Sequence, residues 1–191
     1  FFDADGYGKE FSILNMKAED YGVADNDRKY FLASLLSFYQ QLYLFAKNQE
    51  KLAAYNLHKP LWVFVGNTVN AENSDILAVV EQLAYFLDGK NRSQILTWLN
   101  DLLCDEPLLL DSKGNAIFRH RFLPLTSFKG NLDKLYKDIL QKLFNSGNSQ
   151  HLYLHDLKKA SGEIALSIDN NQKNVFALIN VGDSDGLLKS A

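Results

Sequence analysis

The run Lys59-Pro60-Leu61-Trp62-Val63-Phe64-Val65-Gly66-Asn67-Thr68 decides how this chain is read. Five consecutive apolar residues, Leu61 to Val65, need cover on both faces, which is the pattern of a central parallel strand. Lys59 and Pro60 open the run, and Gly66-Asn67-Thr68 closes it as a small polar turn. An amphipathic helix is then expected from Asn73 or Ser74. In open α/β sheets, ligands meet the protein at the turn beyond a strand's carboxyl end. That makes Gly66 to Asn70 the first candidate site. The turn lacks the G-x-G-x-x-G spacing of a dinucleotide fingerprint. Its amides and the Thr68 hydroxyl suit a backbone phosphate at a helix N-terminus, and an ordinary βα turn fits the same residues.

Upstream, Phe11 to Met16 reads as a short strand after a glycine-rich opening. Asp25-Asn26-Asp27 offers helix caps, and one long helix is expected to about Asn56. Phe31, Leu35, Phe38, Leu42 and Phe45 recur in it at spacings of four and three, giving an apolar stripe that Tyr39, Tyr43 and Tyr55 broaden. Downstream, Ile76, Val80, Leu83 and Leu87 line one side of a helix closed by Gly89.

From Asn91 the texture changes. Ser93 caps a short helix carrying Ile95, Trp98, Leu99 and Leu102. The Pro/Gly-punctuated stretch from Asp105 to Gly130 contains a strand-like run, Ala116 to Phe122. Asn131 caps another helix, with Leu132, Leu135, Ile139 and Leu143 inward and Gly147 at its end. Gly162 to Asp169 alternates as a half-exposed strand does. Val175 to Val181 is nearly all apolar, and the five-residue loop Asn170 to Asn174 joins the two as a hairpin. The expected fold is α/β: a partial RecA-like parallel sheet with flanking helices in residues 1–89, an inserted α+β subdomain in 90–172, and a return to the sheet in 173–191.

Composition narrows the partners. The 191 residues are 47% hydrophobic, enough for a real core. A net charge of −3 limits any nucleic-acid contact to a local patch. The single cysteine, Cys104, excludes an internal disulfide framework and fits a reducing, cytoplasmic compartment. No apolar run approaches the ~20 residues of a membrane span, and no signal peptide is read. The chain opens on Phe1-Phe2 and stops at Ser190-Ala191 in what reads as a starting helix, so both ends are taken as cuts through a longer protein.

Other motifs dissolve on inspection. Setting Asp3 and Asp5 at the third and fifth positions of a calcium loop puts Phe1 first and Ser12 last, where a carboxylate is needed. Gly8-Lys9 precedes Glu10 rather than Ser or Thr, which defeats a phosphate loop. His151 and His155 are spaced as metal ligands only on a helix, which Leu152, Leu154 and Leu157 argue against. Cys104 reads as a buried thiol. Arg119 and Arg121 share one face of the expected strand; they suit either a grip on phosphate oxygens or an edge charged against aggregation.

The order of residues nonetheless resembles a known family. Phe2-Asp3-Ala4-Asp5-Gly6-Tyr7-Gly8-Lys9-Glu10-Phe11, His58 to Gly66, and Ser74-Asp75-Ile76 are similar to stretches of helicase-like proteins related to the Res (restriction) subunit of bacterial type III restriction enzymes. So are Leu135 to Leu140, Gly162 to Leu166 and Ile179 to Asp183. The resemblance implies a superfamily 2 DNA helicase or translocase with two RecA-like domains. This chain would carry the start of the second domain, with Leu61 to Thr68 as the motif approaching the DNA backbone. It implies ATP and magnesium as cofactors of the parent protein, DNA and other domains of the same chain as partners, and a methyltransferase/specificity subunit alongside. No Walker A loop, Asp-Glu-x-His box or arginine finger is present, so none of the ATP-binding motifs transfers to a residue here. Phosphoryl transfer needs a phosphate cradle, a magnesium ligand and an arginine clamp; the chain alone is therefore expected to be inactive. The expected nucleic-acid-binding residues are Gly66, Asn67, Thr68, Arg119 and Arg121, and the catalytic and metal sets are empty. A non-catalytic protein-interaction or nucleic-acid-binding module is the alternative.

Overall fold

The computed structural model describes residues 13–66, 75–157, 162–170, 173–180 and 188. Helix α1 spans Ala24–Lys47 and α2 Gln49–Ala53. Asn48 lies between them with non-helical backbone, so the single long helix expected to Asn56 is broken there. The buried stripe of α1 runs through Leu32, Leu35, Leu36, Tyr39 and Leu42, which is helical spacing. It is rotated from the phenylalanine-centred stripe read from the sequence, because Phe31 and Phe38 serve a different neighbour. No side chain caps α1, although Asp25 and Asp27 sit in its first turn, where the helix dipole favours acids.

Helix α3 covers Asp75–Leu87 and α4 Arg92–Leu103, joined through a 3-10 turn at Gly89–Asn91. Helix α5, Leu132–Phe144, begins at Asn131 as expected: its side chain accepts the Lys134 N–H at 3.1 Å. It ends at Asn145, whose φ of 56° makes it the left-handed cap in place of Gly147.

One hydrophobic core runs from Met16 to Ile168. It joins α1, α3, α4 and α5 with Phe118, Phe122 and Phe128 from the intervening loops and with Leu166 of the sheet. α1 packs on α4 and on α5, and those two pack on each other. The helices of residues 90–172 thus share their core with α1 and α3.

Strands β1 (Tyr153–Asp156), β2 (Glu163–Ser167) and β3 (Val175–Asn180) form a sheet in the order β1-β2-β3, antiparallel throughout. Tyr153 faces Ser167, Leu166 faces Ala177, and the register shifts at Leu166/Ser167. The hairpin is where the sequence put it. β2, expected half-exposed, is the buried central strand, and the nearly all-apolar β3 pairs with β2 alone among the described residues. Ile164, Ala165, Leu166 and Ser167 are all buried, so the alternation of the sequence does not become alternating exposure.

Three expectations are corrected. No parallel pairing exists among the described residues, so the mixed α/β character stands without the parallel sheet. Leu61 to Val65 is extended but not a strand: no residue from His58 to Gly66 joins a backbone hydrogen bond among the described residues. Instead Trp62 and Phe64 turn onto α1. The Trp62 ring lies 5.7 Å from Phe31 and 5.5 Å from Phe38, and Phe64 stacks on Phe31 at 6.2 Å. Ring contacts with Phe31 and Phe38 hold the segment where no strand is offered beside it. Finally, Ala116 to Phe122 forms one isolated bridge, Leu110 to Ala116, then successive turns. Phe118 and Phe122 are buried while His120 between them is exposed, which breaks a strand's alternation, and the Arg119 and Arg121 N–H groups bond back three residues. Of the expected strand at Phe11 to Met16, Phe11 and Ser12 lie outside the described residues, and the remainder is irregular. No described helix is long and apolar enough to cross a membrane.

Candidate functional site

The sequence drives Leu61 to Gly66 outward. Trp62 and Phe64 take one side of this extended strap to α1, which leaves Leu61, Val63 and Val65 on the other; Leu61 is 82% and Val65 92% exposed. Gly66 ends the strap against the first turn of α3. A Cβ placed there would lie 3.0 Å from the Asp75 Cβ, so a larger residue must displace α3 or the strap. Between the strap, α3 and β3 lies an apolar cavity of about 740 Å³. Ile76, Val79 and Leu83 of α3, Phe38 of α1, Phe144 of α5 and all of β3 line it. Its volume falls in the range of ligand and partner clefts, and its lining is nearly free of polar chemistry. Asp75 and Asn180 supply the polar side chains.

The expected site residues are not gathered there. Gly66 lines the cavity, and Asn67 and Thr68 lie outside the described residues. Arg119 is exposed and Arg121 half-buried on the 116–122 turns, away from the lining, with the Arg121 carbonyl accepting the Gln40 Nε2–H at 3.1 Å. With the strand gone, the two guanidinium groups are no longer set side by side by strand periodicity.

Cys104 is also corrected: it follows the last residue of α4 and is exposed rather than buried. His151 is exposed, and His155 stands on β1, not on a helix. His155 Nε2 lies 2.8 Å from Ser167 Oγ, the spacing of a base and a nucleophile. Ser167 is wholly buried and its hydroxyl donates to the Asp169 carbonyl, so the pair braces the hairpin instead. Among the described residues no cluster of three His, Cys, Asp or Glu is placed to hold a metal.

A second polar feature escaped the sequence reading. Asp105 accepts the His120 backbone N–H at 2.7 Å and meets His120 Nδ1 at 2.6 Å, clasping the end of α4 to the 116–122 turns. Both residues have positive φ, 63° and 57°, which non-glycine residues adopt at a cost. The His120 backbone bond, then its side-chain bond, hold the Asp105 carboxyl below the ordinary carboxylate range. A lowered native value means that the clasp's contribution is present above the unfolded pKa and lost as pH falls through the native one. Wild-type stability is therefore expected to drop with acid below about pH 4, and Asp105→Asn to shed part of that dependence. Urea midpoints of both proteins across this window check it; identical acid slopes would sink it.

No protein-family model, curated protein or solved structure matches the chain.

Proposed function

We propose that this chain is the non-catalytic part of an ATP-dependent DNA helicase or translocase similar to the Res subunit of type III restriction enzymes, contributing DNA-strand contact and domain closure. The observation that carries the reading is the apolar strap Leu61–Gly66 facing β3 across an apolar cavity. Two extended segments facing one another suit a layer completed by strands supplied elsewhere, with β3 held antiparallel on its other side by β2. In this reading Leu61 to Val65 is a strand of that layer. Gly66, Asn67 and Thr68 follow its carboxyl end, where a DNA backbone is met, and Arg119 and Arg121 make a separate backbone contact. ATP, magnesium, a methyltransferase/specificity subunit and a cytoplasmic setting belong to the larger protein.

One observation favours a second reading, a protein-interaction module. Arg119 and Arg121 do not line the cavity beside Gly66, so among the described residues the two arginines are not pooled with that lining.

Fluorescence anisotropy with labelled single-stranded DNA separates the two. Two phosphate contacts on a single strand predict binding about sevenfold weaker at about 200 mM than at about 50 mM salt. Arg119→Ala with Arg121→Ala is expected to weaken low-salt binding and flatten the salt slope, and Thr68→Ala to weaken binding with the slope unchanged. No binding at low salt removes the DNA contact and leaves the interaction module. Magnesium-dependent ATP turnover by the purified chain is expected to be absent; turnover free of contaminating enzymes would overturn the non-catalytic assignment.

A further inference from the structure

We infer that the strap Leu61–Gly66 closes onto the free edge of β3 as a fourth strand, collapsing the cavity between them. Three observations carry this. First, all six strap residues and all six β3 residues line the same cavity. A strand showing only one face to a cavity contributes alternate residues. An unbroken run of six means that β3 presents its edge, with the unpaired N–H and C=O groups of an edge strand. Second, β3 pairs with β2 alone among the described residues, and the strap's own peptide groups make no backbone hydrogen bond there. The donors and acceptors that a ladder needs stand ready on both sides. Third, the strap already has a strand's two faces, with Trp62 and Phe64 on α1 and Leu61, Val63 and Val65 opposite. Closure moves a pre-extended segment sideways while its rings stay near Phe31 and Phe38. It also brings exposed Val63 toward Leu178, itself 64% exposed.

The closure needs only the strap and the edge. Its direction rests on the proposed helicase-like reading, which requires the strap to run parallel to β3. Paired cysteines at exposed positions test both, in a Cys104→Ser background because the native thiol is exposed. A disulfide requires Cβ atoms about 3.5–4.5 Å apart, and oxidation traps a closed form present in only about 0.1–10% of molecules. Val63→Cys with Leu178→Cys is expected to form an intramolecular bridge under mild oxidation, read as a mobility shift reversed by reductant. Val65→Cys with Asn180→Cys should bridge if the strands run parallel, and Leu61→Cys with Asn180→Cys if antiparallel. An antiparallel pattern keeps the closure and removes the RecA-like reading. Absence of any bridge in variants with wild-type circular dichroism, or bridges only between molecules, overturns the closure itself.

Discussion

Tyr136→Ala is expected to cost about 3–5 kcal/mol, the range for losing a buried aromatic side chain to a cavity. Tyr136 is almost wholly buried on the inner face of α5, its ring 5.3 Å from Phe86. Its hydroxyl donates to the Phe86 carbonyl at 3.0 Å and lies 3.2 Å from Ser149 Oγ. The Phe86 carbonyl belongs to the last turn of α3, where the helix itself supplies no N–H donor. One side chain therefore fills the α3–α5 junction and completes the end of α3. Tyr136→Phe separates the two effects: packing is kept, a buried acceptor is orphaned, and the expected cost is about 1–3 kcal/mol. Urea unfolding measures both, with an unchanged slope showing that the native state is the same. A loss below about 1 kcal/mol for Tyr136→Ala, the centre of the ordinary mutational range, would mean that this junction does not hold the fold.

Periodicity made the helices legible. Leu135 and Ile139 in α5, Ile95, Trp98, Leu99 and Leu102 in α4, and Leu83 and Leu87 in α3 are all inward as read. The Asn131 cap and the hairpin before Val175 were also readable, because a cap and a turn are decided by residues close in sequence. What failed depends on distant partners. An apolar run such as Leu61 to Val65 states that it wants cover on both faces, but not whether a neighbour stands beside it. Here Phe31 and Phe38 cover one face through Trp62 and Phe64, and that capture decides the outcome. Ala116 to Phe122 failed for the same kind of reason: Asp105, distant in sequence, clasps His120 in a left-handed conformation that no alternating strand tolerates. Gly66 was marked by its position after the run and does line the cavity. The opposite wall, β3, was invisible as site material because its residues read as core.

Raising the pH above about 10 is expected to unfold the protein steeply, and the cause lies in its buried phenols. Burial pushes the Tyr39 hydroxyl far above the ordinary tyrosine value, reinforced by its hydrogen bond to Asp138. Lys142 grips the same carboxylate, at 2.6 Å to Oδ1, and so fixes the acceptor in place. Burial likewise raises Tyr136 and, more weakly screened from water, Tyr30, whose hydroxyl donates to the Leu14 carbonyl at 2.6 Å. In each case the native pKa exceeds the unfolded one, so the contribution is complete below about pH 10 and is lost as pH rises through the native value. Between those limits the unfolded state has released a proton that the native state keeps. Stability then falls by about 1.4 kcal/mol per pH unit for Tyr39, with Tyr136 and Tyr30 acting in the same direction. Phenolate absorbance from Tyr39 and Tyr136 should appear together with the loss of circular dichroism. Tyr39→Phe removes one of these protons and should move the alkaline midpoint upward even though it gives up a hydrogen bond at neutral pH. Smooth ionisation of every tyrosine in the folded protein, or an alkaline midpoint that Tyr39→Phe leaves in place, would show that water reaches the α1–α5 contact and that the core is looser than this packing requires.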